Sequence, residues 1–122
     1  MSTWTPEELA AIGEAVEVQV ASVRGDGTLT KPRIVWVVRD GDEIYLRSVN
    51  GGDGAWYRST RVRHEGRISA GGVERDIAFV DTTDANARVY AAYRSKYRGW
   101  GVGLERITRP LAAATTMRLD PR

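Results

Sequence analysis

The sequence predicts a mainly β protein: a six-stranded antiparallel barrel with one N-terminal helix and one helix in the C-terminal half. Three observations support this fold class: short segments of alternating apolar residues, glycine-containing turns between them, and two segments with helical spacing and capping residues. An antiparallel sheet of this size normally closes into a barrel, because closure removes its exposed edges. Side chains fill the interior of a small barrel, so we expect a ligand on its outside or at a subunit junction.

The composition limits the number of domains and the classes of function. The 122 residues, 42% of them hydrophobic, suffice for one core but not two, so we expect a single domain over residues 1–122. The sequence contains no membrane-spanning apolar run and no signal-peptide pattern, and we expect a soluble, cytoplasmic protein without a membrane partner. With no cysteine and a single histidine, His64, we expect no metal site.

Arginine supplies nearly all the positive charge, with sixteen arginines against two lysines, Lys31 and Lys96. A GC-rich genome would explain this bias. Alternatively, several arginines line an anionic pocket, because the planar guanidinium binds phosphate and carboxylate at two points. Nucleic-acid binding is a third, weaker interpretation, because sixteen acidic residues are interspersed and the net charge is only +2. We therefore expect no nucleic-acid partner.

The first half of the chain predicts one helix followed by three strands. Thr5 can cap the helix, Pro6 suits its first position, and Glu8 completes a capping box. Alternating apolar residues then predict an antiparallel meander. The first strand starts at Val16, and the next two span Lys31–Arg39 and Glu43–Ser48. A hairpin at Asp40-Gly41-Asp42 joins these last two strands.

The second half predicts a hairpin, a long helix and a closing strand. Gly71-Gly72 separates the two hairpin strands, and the long helix carries three tyrosines whose spacing indicates a core-facing stripe. The predicted elements are strands Arg67–Ala70 and Val73–Val80, a helix from Thr83 or Asp84 to about Arg98 with Tyr90, Tyr93 and Tyr97, a flexible connection Trp100–Pro110, and a strand Leu111–Leu119.

The segment Ile44–Arg63, IYLRSVNGGDGAWYRSTRVR, is the first candidate for a ligand site. A strand, a glycine-rich turn and an arginine-containing helix would place backbone N–H groups and guanidiniums around one point, which suits an anion. Its glycine spacing matches neither the Walker loop nor the dinucleotide fingerprint, and an ordinary surface turn is the alternative. Arg58 and Arg61, three residues apart, can face one anion or form a solvated helix face.

These elements and several short motifs resemble the flavin- and deazaflavin-dependent oxidoreductases of the pyridoxamine-phosphate-oxidase-like split β-barrel superfamily. The motifs are Lys31-Pro32-Arg33 leading to Trp36, the Asp-Gly-Asp hairpin, SVNGGDGAWYRS, and the tail from Arg109-Pro110 to LDP. The resemblance covers about Val16 to Pro121. It implies a split β-barrel like that of the FMN-binding proteins.

The resemblance also implies a cofactor, a partner and a set of site residues. The cofactor would be FMN or the deazaflavin coenzyme (F-420), bound in a groove that a second subunit completes, so that a homodimer acts on a small-molecule substrate. The implied cofactor-binding residues are Lys31, Arg33, Ser48, Asn50, Gly51, Gly52, Trp56, Arg58 and Ser59. At Ser59, the deazaflavin-dependent relatives often have asparagine.

No catalytic side chain is assigned, because the cofactor performs hydride transfer and the protein supplies position and electrostatics. Tyr57 or water would provide a proton. Trp36 and Trp56 could stack on a ring or belong to the core or to a subunit interface. The alternative function is a non-catalytic protein that binds a cofactor or another small ligand on the same fold.

Overall fold

The structure is a computed structural model that describes residues 3–122. In this range, seven strands form one antiparallel sheet and five α-helices accompany it. The strands are β1 Val18–Ser22, β2 Arg33–Val35, β3 Val37–Asp40, β4 Glu43–Leu46, β5 Glu65–Ala70, β6 Val73–Asp81 and β7 Met117–Pro121. The helices are α1 Pro6–Glu14, α2 Ala55–Arg63, α3 Asn86–Lys96, α4 Val102–Thr108 and α5 Pro110–Ala113, with short 3-10 turns at Gly51–Asp53 and Thr83–Ala85.

The sheet curls into a nearly closed barrel that is split between its two outermost strands. The strand order is β2-β1-β5-β6-β7-β4-β3, and only Trp36 separates β2 from β3 in the sequence. A one-residue connection requires the two ends of the sheet to approach each other. The predicted mainly β, antiparallel split-barrel class is therefore confirmed.

The barrel has seven strands rather than the predicted six, because the predicted strand Lys31–Arg39 is two strands. Val35 pairs with Val18 of β1, whereas Val37 pairs with Leu46 of β4. The chain changes partners at Trp36, and alternation alone does not reveal such a change. The split itself was therefore missed from the sequence.

The region after α3 also differs from the prediction. The expected flexible connection Trp100–Pro110 contains α4, whose Leu104 and Ile107 are buried one turn apart. Gly99 and Gly101, both with positive φ, lie between α3 and α4. Such closely spaced glycines are typical of a loop, and the short helical pattern that follows them was therefore not recognised. The expected strand Leu111–Leu119 begins with α5, and strand pairing starts only at Met117.

Two apolar clusters stabilise the structure. One fills the barrel between α1 and the inner faces of the strands, and the other lies between the outer face of β3–β4 and helices α3 and α4. Tyr93 and Tyr97 are buried there as predicted, and their hydroxyls donate to the carbonyls of Trp36 (2.8 Å) and Val16 (2.6 Å). Tyr90 is 45% exposed, so the predicted three-tyrosine stripe is wrong at that position.

The predicted capping box is present, with the Glu8 N–H donating to Thr5 Oγ1 at 3.1 Å and the Thr5 N–H to Glu8 Oε1 at 2.9 Å. Among residues 3–122, no helix combines the length and apolar character needed to cross a bilayer.

Lys96 leads to a testable pH dependence of stability. Its Nζ donates to the carbonyl of Val37 (2.6 Å), and partial burial lowers the pKa of the ammonium from 10.5 to about 8. Between these two values the unfolded chain binds more protons than the folded one, so the free energy of unfolding should rise with pH across this window. We expect a rise of about 1 kcal/mol, discounted for the solvent that screens a partly exposed amine.

Urea unfolding of the wild-type protein and the Lys96→Met variant, measured at intervals from pH 7.5 to about 10, checks this expectation. The free energy of unfolding of the wild-type protein minus that of Lys96→Met should rise with pH across this window. A pH-independent difference would contradict it.

Candidate functional site

A groove of about 210 Å³, partly open to solvent, lies where the barrel is split. Its walls come from the end of β2, the loop after β4, the start of α2, and α4. Ile34, Val35, Val49 and Ile107 make its apolar surface.

Two tryptophans add aromatic surface to the groove. Trp36 stacks on Tyr97, with ring centroids 4.0 Å apart and planes 4° from parallel, and Trp100 meets it edge-on at 5.5 Å. A Cβ on Gly103 would lie 2.7 Å from Trp36 Cη2, so glycine allows α4 to approach the indole this closely. Trp56 lines the groove from α2. The indole of Trp36 is therefore held in place by aromatic packing.

Arg47 lines the groove although it is only 2% exposed. Its guanidinium donates to Thr116 Oγ1 (2.9 Å), to the carbonyl of Ile107 (3.2 Å), and to the carbonyl and Oδ1 of Asn86 (both 3.3 Å). It forms no ion pair with any described carboxylate. Burial lowers the pKa of this guanidinium. A positive charge is thus kept at the base of the groove without a neutralising partner.

Two further arginines contact the loop after β4. Arg106 Nη2 donates to Asn50 Oδ1 (3.2 Å), and Arg109 Nη2 donates to the carbonyl of Val49 (2.9 Å). In the described part of the chain, neither arginine pairs with a carboxylate. These two arginines place positive charge beside residues 49–50, which favours an anionic group nearby.

The glycine-rich turn lies partly behind the surface of the groove. Ser48 is fully buried, its N–H donates to Thr115 Oγ1 (2.8 Å), and its own Oγ has no hydrogen-bond partner among the described residues. Gly51, at φ 70°, is buried against Leu111, whereas Gly52 is exposed with open space around it. Of this predicted group, only the Asn50 side chain forms a hydrogen bond with a groove residue among the described residues, with Arg106.

The predicted residues of α2 lie on different sides of the helix. Trp56 lines the groove, whereas Arg58 is exposed and outside its lining. Ser59 Oγ donates to the Trp56 carbonyl (2.6 Å) and lies 3.0 Å from Ser22 Oγ, so it joins α2 to β1. Arg61 forms a two-point ion pair with Asp81 and is not available to share an anion with Arg58.

Other candidates lie outside the groove. Lys31 and Arg33 are both exposed, Lys31 just before β2 and Arg33 as its first residue, next to Ile34, which does line the groove. His64 is the exposed residue that ends α2, in the left-handed conformation at φ 55°. Tyr57 packs beside Trp56 and under the Arg61 guanidinium, not in the groove lining. The structure therefore brings together Trp56, Asn50 and the loop, but not Lys31, Arg33 or Arg58.

Sequence reasoning missed three charged residues of the groove, Glu17, Arg47 and Arg106. The sequence does contain a signal for Arg47. The preceding run Ile44-Tyr45-Leu46 has no polar residue at its alternate position, which indicates a strand covered on both faces. The residue that follows such a run is expected to be buried. Arg106 was missed because α4 was assigned to a loop. No pattern in the sequence distinguishes Glu17 from the other exposed acids.

The fold of the chain is similar to that of several solved structures. The chain is similar to a structure described as an F420 reductase (TM-score 0.62, 15% identity, 93% of this chain and 92% of that chain covered). It is also similar to HutZ, the heme storage protein from Vibrio cholerae (0.63, 12%, 99% and 90%), and to a putative pyridoxamine 5′-phosphate oxidase from Listeria innocua (0.60, 14%, 95% and 90%). The chain therefore has the split β-barrel fold of these structures.

A family model matches residues 8–119, and the chain belongs to that family, which is described as "Uncharacterized protein conserved in bacteria (DUF2255)". No curated protein matches the sequence.

Proposed function

We propose that this protein is a flavin- or deazaflavin-dependent oxidoreductase that binds FMN or the deazaflavin coenzyme in the groove at the split of the barrel. The observation that carries the proposal is an aromatic-walled groove beside guanidiniums that have no carboxylate partner in the described chain. Both cofactors combine a flat ring system with a phosphate-bearing tail. Trp36 and Trp56 suit the ring, and Arg47 and Arg106 suit the anion.

The residues of the chain would position the reaction rather than carry it out. A bound flavin or deazaflavin would supply the hydride acceptor or donor. Trp36 offers a surface fixed by Tyr97, and the apolar side chains of Ile34 and Val49 would exclude water from the groove around a bound ring. Because Tyr57 does not line the groove, water is the proposed proton source.

We further propose that a second copy of the chain covers the groove, giving a homodimer. Large apolar side chains are exposed at its rim: Ile34 is 61% exposed, Trp100 50% and Val102 69%. Exposed apolar side chains grouped in this way are typical of an interaction surface. Light scattering at micromolar concentration tests the proposal, and a purely monomeric mass would contradict it.

The alternative is a non-catalytic binding protein, and heme is the ligand to consider because one structural neighbour is a heme storage protein. Heme iron requires an axial His, Cys, Met or Tyr ligand. None of these residue types is among the described residues that line the groove, and the sequence has a single histidine and no cysteine. The groove therefore favours a flavin-type ligand over heme.

Titration of the purified protein with FMN and with the deazaflavin coenzyme, followed by fluorescence, tests the proposed function. Binding of either in the micromolar range or tighter would support it, and binding of neither would overturn it. Turnover of the loaded protein with small electron acceptors such as quinones or enones then separates an oxidoreductase from a carrier. Hemin titration provides the comparison for the heme alternative.

Arg106→Ala is expected to weaken binding of the cofactor about fivefold, because it removes an exposed guanidinium of the groove that would attract the anionic tail. Arg58→Ala is the matched control: Arg58 is an exposed arginine outside the groove lining, and we expect less than a twofold change. The dissociation constants of both variants are measured at 50 and 200 mM salt, where only the Arg106 effect should fall. A larger loss for Arg58→Ala would contradict this assignment.

A further inference from the structure

We propose that Glu17 is a positioning residue that selects the orientation of the bound ring by accepting a hydrogen bond from its N–H edge. The inference rests on the proposed function and extends it to a residue that lies outside the glycine-rich turn. Glu17 directly precedes β1 and lines the groove together with Arg47 and Arg106.

The acid and the two arginines share the groove without neutralising one another. Glu17 forms no ion pair and no side-chain hydrogen bond with any residue from 3 to 122, whereas Glu8 and Asp81 elsewhere each bind an arginine at two points. Separated charges of opposite sign in one groove fit a ligand that has an anion at one end and a hydrogen-bond donor at the other.

The rings of FMN and of the deazaflavin coenzyme both present such a donor. Each carries a pyrimidinedione edge whose N3–H is flanked by two carbonyl oxygens. A carboxylate accepts this hydrogen bond strongly because the acceptor is charged. The same carboxylate repels a phosphate, so a ligand bound in the reverse direction would place its tail against Glu17 and be rejected. Glu17 thus favours one orientation through both attraction and repulsion.

The test deletes the donor from the ligand and the acceptor from the protein in turn. Dissociation constants are measured for FMN and for FMN methylated at N3, with the wild-type protein, Glu17→Ala, Glu17→Gln and the control Glu14→Ala. Glu14 is an exposed acid at the end of α1 that does not line the groove. If the deazaflavin coenzyme binds instead of FMN, the coenzyme and its N3-methylated form are compared in the same way.

For the wild-type protein and Glu14→Ala, methylation at N3 should weaken binding about tenfold, the effect of losing one partly exposed charge-assisted hydrogen bond. Glu17→Ala should bind both ligands with the same affinity within about twofold, and Glu17→Gln should retain about a threefold preference through its neutral amide oxygen. If Glu17 had only a structural role, Glu17→Ala would change the dissociation constants of both ligands by the same factor.

Two outcomes would overturn the inference. In the first, the wild-type protein binds both ligands equally; in the second, Glu17→Ala retains the wild-type discrimination, as it would if the methyl group were disfavoured by crowding alone. In both, the unmethylated cofactor still binds, so the proposed function stands. Failure of the wild-type protein to bind either unmethylated cofactor would overturn the proposed function and this inference together.

Discussion

Arg47→Ala should lower the free energy of unfolding by about 3 kcal/mol and the melting temperature by about 10 °C. Arg47 is among the largest fully buried side chains, and its guanidinium connects β4 to the segment before β7, to the start of α3 and to the last turn of α4. The substitution leaves a cavity and removes the donor from the buried carbonyl of Ile107. Both effects act on buried groups that water does not easily reach.

Comparison with Arg47→Met separates the two contributions. Methionine fills much of the volume but donates nothing, so we expect a smaller loss of about 1–2 kcal/mol from the unpaired acceptors. Arg33→Ala, at an exposed arginine of β2, should change stability by less than about 0.5 kcal/mol. Urea unfolding measures all three variants, and an Arg47→Ala protein as stable as Arg33→Ala would contradict the structural role.

The same variants report on the groove. A buried guanidinium without a carboxylate partner in residues 3–122 is costly to desolvate, which fits a residue retained for binding an anion. Arg47→Met should therefore remain folded while its affinity for FMN falls by at least about tenfold. An unchanged affinity in the folded variant would restrict Arg47 to a structural role.

Gly66→Ala should destabilise the barrel by about 3 kcal/mol, the second large effect that we expect. Gly66 lies in β5, paired with Ser22 of β1 and Ile77 of β6. A Cβ there would overlap the carbonyl oxygen of Ala21 and lie 2.7 Å from Phe79 Cε2. Because strand pairing fixes the backbone on both sides, the clash can be relieved only by shifting a strand or displacing the core phenylalanine.

Gly52→Ala is the matched control for Gly66→Ala. It makes the same chemical change at an exposed glycine with nothing within 4 Å of the added Cβ, so stability should change by less than about 0.5 kcal/mol. Thermal and urea unfolding measure both variants. Equal stability of the two alanine variants would contradict the close approach of β5 to β1.

The local elements were predictable where a short pattern and its end signals lie within one stretch of sequence. The helix capped by Thr5 and the hairpin at Gly71-Gly72 are examples, since capping and turn chemistry involve neighbouring residues. The strand broken at Trp36 and the helix α4 were not predictable in this way. Trp36 lies within a continuous apolar run. That run is divided because Val35 pairs with β1 whereas Val37 pairs with β4.

The residues of the candidate site were likewise predicted only in part. Trp56 and the loop around Asn50 were found because aromatic, glycine and polar residues occur together in one segment. Arg58 belongs to the same segment, and Lys31 and Arg33 to the motif before Trp36, but none of the three lines the groove. Their contact with a cofactor stays a prediction from the sequence, and the Arg58→Ala measurement tests it for Arg58.

The amino-acid sequence alone determined the antiparallel barrel class and located the loop around Asn50, because alternation, turns and capping depend on residues close together in the chain. Only the tertiary structure decided where the barrel is split and which charges meet there. Glu17, Arg47 and Arg106 come from three distant segments, and the curvature of the sheet and the packing of α4 against it bring them to one groove. Long-range packing, which no local pattern encodes, therefore decides the chemistry of the site.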